Sequence, residues 1–96
     1  MQKFTPGPWH IDPRASTRIV DDADTTIASA GRASRSEEEA QANACFIAAA
    51  PEMYEALKSA ALSIADFMTT INYPELSGAG SILADVRDAI AKAEGR

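Results

Sequence analysis

The alternation of apolar and polar residues divides the chain into a strand-forming first third and a helical remainder. Trp9–Ile11 alternates as a short strand does, and Thr17–Val20 and Thr25–Ala28 are β-branched runs of the kind that is enriched in strands. The polar stretch Asp21–Asp24 between those two runs suits a hairpin loop. We therefore predict a three-stranded antiparallel meander, which must pack one face on helices because so small a sheet is marginally stable alone.

The start of the first helix is marked by a capping box. Ser36 is followed three positions later by Glu39, so the helix is predicted to begin there. Pro51 should end or kink this helix near Ala50 and then occupy the first turn of the next one. Cys45, which lies among alanines, is expected to be a small buried residue. The expected inward row consists of Ala40, Ala44 and Ile47, with Asn43 beside it.

The second helix has the clearest period in the chain, and such a stripe is typical of a core face. Its positions are Tyr54, Leu57, Ala61, Ile64, Met68 and Ile71, widened by Met53, Ala60 and Phe67. Asn72–Gly80 contains the residues that stop this helix and form a turn, and a last helix is predicted from Ser81 until Gly95 stops it. The second and third helices are expected to form an antiparallel hairpin. The apolar positions expected on one side of the last helix are Ile82, Val86, Ala89, Ile90 and Ala93.

Together these elements predict one α+β domain over residues 1–96. An extended lead-in and the β-meander occupy residues 1–35, and the helices occupy residues 36–94. A chain this short has little surface to bury, and its apolar residues are largely alanine. We therefore expect self-association to complete the core. A single cysteine excludes an internal disulfide, and the absence of a leader-like start leads us to expect a protein of the host cytoplasm without a membrane role.

Charge is unevenly distributed along the chain. The net charge is −5, with four acidic and five basic residues among residues 1–35 and ten acidic and four basic residues among residues 36–96. The acidic part should repel duplex nucleic acid, because duplex binding depends on several contacts from Lys or Arg to phosphate. A small anion could still bind near the basic first third.

The residue types do not favour catalysis. His10 is the only histidine and Cys45 the only thiol, so neither a zinc site nor a Cys-His nucleophile pair has enough members. The acids Glu37–Glu39 are better explained by the dipole at a helix N-terminus than by metal binding. We expect a protein that is not an enzyme and that uses no cofactor and no metal.

Arginines supply the candidate ligand-binding residues. Four of the six arginines lie in the first third, and the planar guanidinium matches phosphate oxygens. With Trp9, which could stack on a base, they have the chemistry of a nucleotide-phosphate pocket. Asn43 has two open interpretations: its amide fixes the sheet to the helix, or it recognises the edge of a ligand. The arginines are Arg14, Arg18, Arg32 and Arg35.

Two short segments carry a resemblance to known proteins. Thr5–Trp9, paired with Asn43–Glu52 and followed by Glu55–Leu57, resembles a widespread family of small phage-encoded proteins. The resemblance covers most of residues 4–57 and extends to viral sponge proteins of the anti-CBASS and anti-Thoeris kind. It implies a homo-oligomer that sequesters a cyclic nucleotide second messenger, such as 3′3′-cGAMP or a cyclic ADP-ribose isomer, without cleaving it. Of the motif positions, it places Trp9, Asn43 and Tyr54 in the ligand site.

Two other functions stay open at this stage. The net charge of −6 on residues 36–96 also suits an inhibitor, similar to an anti-CRISPR protein, that docks an acidic helical face on a basic host defence factor. A phage accessory protein without a ligand is the third reading. The sequence does not specify which messenger would bind, how many copies would associate or which helical face would form an interface.

Overall fold

The fold is α+β, as predicted. The computed structural model describes residues 4–31, 35–71 and 79–96. These residues form two compact units, which we call the sheet unit (Phe4–Met53) and the helical unit (Tyr54–Arg96). An antiparallel three-stranded sheet is followed by three helices.

The sheet is the expected meander. Its strands are β1 (His10–Asp12), β2 (Ala15–Val20) and β3 (Thr26–Ser29), in the order β1-β2-β3 with both pairs antiparallel. Ile19 on β2 lies opposite Ile11 on β1 and Ala28 on β3. The pleat directs these central side chains to one face, where Ile19 is fully buried.

The loop between β2 and β3 is built around one aspartate. The Asp21 carboxylate accepts hydrogen bonds from the amides of Ala23, at 3.0 Å, and Thr25, at 2.9 Å. The Asp21 amide donates to the Thr25 carbonyl at 3.0 Å. Asp24 takes up the left-handed conformation with φ 64°, which aspartate tolerates better than most residues. The polar stretch therefore closes the hairpin as predicted.

Helix α1 (Glu37–Ala48) covers the sheet. Its N-cap is confirmed, because the Ser36 hydroxyl accepts a hydrogen bond from the Glu39 amide at 3.1 Å. Ala44 is fully buried and packs with Ile19 in the core of the sheet unit. Small side chains at this position let the helix approach the sheet closely. Gln41 adds a bond to β2, since its amide nitrogen donates to the Ser16 hydroxyl at 3.1 Å.

Helix α3 (Ala79–Ala93) and most of helix α2 (Ala50–Ile71) make up the helical unit. The Tyr54 hydroxyl near the start of α2 donates to the Glu94 carboxylate just beyond α3 at 2.5 Å. This contact brings the start of α2 next to the end of α3, as the predicted antiparallel hairpin requires. Gly95 ends α3 with φ 80°, a conformation that glycine adopts readily. Helix α3 begins two residues before the predicted Ser81, so Ala79 and Gly80 are helical and not part of the turn as predicted. The rest of the predicted stop and turn, residues 72–78, lies outside the described residues.

The buried face of the helical unit differs from the prediction. Leu83, which the predicted row omits, is 6% exposed, whereas Ile82 is 55% exposed. Ala89 and Ala93 are exposed as well. Helix α3 has apolar residues on two neighbouring sides, and the side that includes Leu83 packs inward. On α2, Met53 and Phe67 were predicted to widen the inward stripe, but they are 41% and 51% exposed.

The two sequence segments that carry the resemblance touch each other in the sheet unit. A Cβ atom added to Gly7 would lie 2.6 Å from the Cβ atom of Pro51, which is too close for any side chain there. Pro51 is buried, and the Gly7–Pro8 peptide bond is cis. The absence of a side chain at position 7 therefore lets the N-terminal segment lie directly against the start of α2.

Replacing Gly7 with alanine should destabilise this contact. The added methyl group must displace a ring in a packed site, which costs about 1–3 kcal/mol of unfolding free energy. Gly31→Ala is the matched control, because a Cβ at Gly31 meets nothing within 4 Å. Urea denaturation of both variants measures the difference, and equal midpoints would contradict the close approach of Gly7 to Pro51.

Candidate functional site

The predicted arginines Arg14 and Arg18 meet at Asp12, a buried carboxylate at the end of β1. Asp12 is 2% exposed and precedes the two-residue turn Pro13–Arg14, which leads into β2. Its Oδ1 atom accepts hydrogen bonds from the backbone amide of Arg14 at 3.0 Å and from the Arg14 Nε atom at 3.1 Å. A side chain that bonds to the backbone two residues ahead forms an Asx turn. Asp12 therefore both shapes the turn and holds the first arginine.

Arg18 joins the same carboxylate from the middle of β2. Its Nη1 atom donates to Oδ2 of Asp12, and its Nε atom donates to the Thr26 hydroxyl at 2.6 Å. The Nη2 atom reaches the Asp24 carbonyl at 3.4 Å, while Arg14 Nη2 donates to the Asp24 carboxylate at 2.6 Å. We call Asp12, Arg14, Arg18 and Asp24 the arginine–aspartate cluster; it links both hairpins of the sheet.

The charges of this cluster balance. The Arg14 amide, the Arg14 guanidinium and the Arg18 guanidinium all bond the ionised form of Asp12, and they lower its pKa to about 2. The Asp12 carboxylate in turn raises the pKa of Arg14, with a further contribution from Asp24. Two positive and two negative groups thus lie together, so the cluster adds little net charge to this edge of the sheet.

Of the other two predicted arginines, the structure describes Arg35, whose hydrogen bond is not to the cluster. The Arg35 Nη1 atom donates to the Gly31 carbonyl at 2.8 Å, a bond across the segment between β3 and α1. Arg32 lies outside the described residues. Hence the structure brings two of the four predicted arginines together, and it does so around carboxylates of the same chain.

Trp9 packs on the core of the sheet unit. Its indole nitrogen donates to the Thr5 carbonyl at 3.1 Å, and its ring is half-buried against the cluster that contains Ile19. The Phe4 ring meets it edge to face, with centroids 6.4 Å apart and an interplanar angle of 83°. These contacts fold the extended lead-in back on itself.

Asn43 is half-buried on α1, beside the fully buried Ala40 and Ala44 as predicted. Within the part of the chain that the structure describes, the side-chain hydrogen bond from α1 to the sheet comes from Gln41, and the Asn43 side-chain amide forms no hydrogen bond. Among the described residues, a side-chain hydrogen bond that ties α1 to β2 is therefore made by Gln41 and not by Asn43.

Tyr54 lies in the helical unit and is 5% exposed. Its hydrogen bond to Glu94 raises the pKa of the phenol and lowers the pKa of the Glu94 carboxyl. Arg96 also bonds Glu94, at 2.5 Å, and the Lys58 ammonium lies 4.9 Å from the centre of the Tyr54 ring. In this arrangement Tyr54 closes the end of the helical hairpin where α2 begins.

One family model matches the whole chain. It describes Salmonella phage P22 protein Y8K6, and the match covers residues 1–96. The chain belongs to this family. No curated protein and no solved structure matches it. A small phage protein, which the resemblance in the sequence implied, is thereby confirmed.

The surface of this phage protein includes an aromatic residue that the sequence reasoning did not select. Phe46 on α1 is 68% exposed. Cys45 beside it is exposed too, so the expectation of a buried thiol is wrong. Helix α1 buries Ala40 and Ala44, and positions 45 and 46 fall on its exposed side. The sequence did contain a signal for this: around the helix axis, positions 45 and 46 are far from the inward row Ala40, Ala44 and Ile47.

The described residues bear on two further kinds of site, a group of metal ligands and a membrane-spanning helix. Over residues 4–31, 35–71 and 79–96, His, Cys, Asp and Glu side chains form no group of three or more suited to a metal ion. None of the described helices is both long enough and apolar enough to cross a membrane.

Proposed function

We propose that this phage protein is a non-catalytic binding protein that docks on a host defence protein in the host cytoplasm through the outer face of α1. The observation that carries the proposal is Phe46, a large apolar side chain that is 68% exposed. An exposed aromatic residue on a helix is a common anchor of protein interfaces.

The charge of α1 supports a basic partner. Its first turn carries Glu37, Glu38 and Glu39, all exposed, and the helix contains no Lys or Arg. Glu39 and Phe46 are seven positions apart and so share one face. An aromatic anchor with acids on the same face would attract a basic surface, such as that of a nuclease, and would set its orientation.

Sequestration of a cyclic nucleotide is the second candidate. It is favoured by the side-chain amide of Asn43, which has no hydrogen bond among the described residues, and by the Arg14 side chain, which is 67% exposed. The bond from Arg14 to the Asp24 carboxylate joins two exposed groups, so it contributes little and a phosphate could replace it. We rank this candidate second because Asp12 and Asp24 already balance the charges of Arg14 and Arg18.

Phe46→Ser is expected to abolish protection of a defence-sensitive phage. The assay expresses each variant in bacteria that carry one defined defence system and counts plaques. The loss of a central aromatic anchor should weaken target binding by about tenfold or more. Leu62→Ser is the matched control, because Leu62 is also a large helical side chain and is 74% exposed. Equal protection by the two variants would exclude docking through Phe46.

The nucleotide candidate is tested on the same proteins. Isothermal titration with a panel of cyclic nucleotides should give no heat if the protein acts by docking alone. If one nucleotide binds, is recovered intact and is lost in the Asn43→Ala variant but retained in Phe46→Ser, sequestration replaces docking as the function. Recovery of a hydrolysed product would instead indicate an enzyme.

A further inference from the structure

Helix α3 carries a second apolar row that α2 does not cover. The row that packs inward contains Leu83, Val86 and Ile90, which are buried or half-buried. The exposed row consists of Ile82, at 55% exposure, with Ala89 and Ala93. Positions that are seven and eleven residues apart lie within about 20° of each other on a helix, so these three side chains form one line.

Helix α2 carries a matching line. Phe67 is 51% exposed, Ala56 is exposed and Ala60 is half-buried, again at spacings of seven and eleven. Phe67 and Ile82 line the same open groove, together with Ser63 and Ile64. The two lines therefore belong to one face of the hairpin, which we call the open face.

The side chains of the open face are large at one end of the hairpin and small at the other. Phe67 and Ile82 share the groove at the end where α2 finishes and α3 begins. The bond between Tyr54 and Glu94 brings the opposite ends of the helices together, so Ala56 and Ala93 lie at that second end. Bulky side chains thus occupy one end of the face, and alanines occupy the other.

The charge along α3 also differs between the two ends of the open face. Asp85 lies at the bulky end and Lys92 at the alanine end, and both are exposed. They are seven positions apart, so both lie along the same edge of the open face. A copy of α3 that runs antiparallel would set each Asp85 against a Lys92.

We propose that a second copy of this chain binds the open face in an antiparallel dimer. The twofold axis of this dimer lies between the two open faces and runs perpendicular to the helices. Each helix therefore packs against its own counterpart in the other copy. Phe67 and Ile82 of one copy then meet the alanine end of the other. A twofold interface must be complementary to itself, and this gradient of size and charge meets that condition. The two hairpins then form a four-helix arrangement. The face lies in the helical unit and its occupation requires no host target, so the proposal is independent of the proposed function.

Sedimentation equilibrium of the full chain tests the dimer. We expect a mass about twice that of the 10.2 kDa chain, and Ala89→Glu should yield a monomer with unchanged helix content by circular dichroism. Leu62→Ser should remain dimeric, because positions 62 and 67 lie on different sides of α2. A monomeric wild-type chain at high micromolar concentration, or an Ala89→Glu dimer of unchanged affinity, would overturn the proposal.

A charge exchange tests the antiparallel arrangement. Asp85→Lys and Lys92→Asp alone each place like charges together and should raise the dimer dissociation constant by about tenfold at low salt. The double variant restores opposite charges and should recover the wild-type value. If the double variant is as weak as the single ones, Asp85 does not meet Lys92 and the arrangement is wrong.

Discussion

Replacing Ile19 with alanine is expected to lower the unfolding free energy by about 2–5 kcal/mol. Ile19 is fully buried at the centre of β2, and it packs with Ala30 and Ala44. Alanines cannot move far enough to fill the cavity that the truncated side chain leaves, because their side chains have no rotamers. For a small domain with a stability of about 5 kcal/mol, this loss would unfold a measurable fraction of the molecules at room temperature.

Chemical denaturation followed by circular dichroism measures this loss. Leu62→Ala removes a side chain of the same size from a position that is 74% exposed, so its midpoint should stay close to that of the wild type. A loss below about 1 kcal/mol in Ile19→Ala would mean that the sheet unit tolerates a cavity and that Ile19 is not the centre of its core.

The strands and the start of α1 could be predicted because their signals are local. β-branched runs around Asp21–Asp24 gave the second hairpin, and Ser36 with Glu39 gave the helix start. Both are realised through contacts between residues close in sequence, such as the bond from the Glu39 amide to the Ser36 hydroxyl. Such signals do not depend on how distant parts of the chain pack.

The buried face of α3 could not be predicted from its period alone. Ile82 and Leu83 are adjacent and both large, so each could begin an inward row. The choice depends on which side of α3 meets α2, and the structure selects Leu83. Cys45 was misjudged for a related reason, since an alanine-rich helix offers small side chains on both its buried and its exposed sides.

Only the arginines of the arginine–aspartate cluster could be predicted from the sequence. The residue types point to Arg14 and Arg18, but they do not point to Asp12 as their partner. The tight turn after β1 and the pairing of β2 with its neighbours bring Asp12 and Asp24 to these arginines. One local signal was available: an aspartate directly before Pro13 is typical of an Asx turn.

Asp12→Asn should cost more stability than any substitution of an exposed acid in the sheet unit. The amide keeps one oxygen for the turn but presents NH₂ where Asp12 accepts from Arg18, so two donors face each other. The loss of the carboxylate also leaves Arg14 and Arg18 close together with one counter-charge fewer. Asp22→Asn is the matched control, because Asp22 is an exposed acid in the β2–β3 loop. Thermal unfolding at pH 7 should show a lower midpoint for Asp12→Asn, by several degrees, and little change for Asp22→Asn.

The pH dependence of stability gives this prediction its sharpest form. The pKa of Asp12 falls from 3.8 to about 2 on folding. A carboxyl group whose pKa is lower in the folded state stabilises the protein fully above its unfolded pKa, and this contribution is lost as the pH falls through the folded value. The wild type and Asp22→Asn should therefore lose stability between about pH 4 and pH 2 by more than Asp12→Asn does. Denaturation midpoints at pH 7, 4, 3 and 2 supply the comparison, and parallel curves for all three proteins would mean that Asp12 is not held as a carboxylate by its arginines.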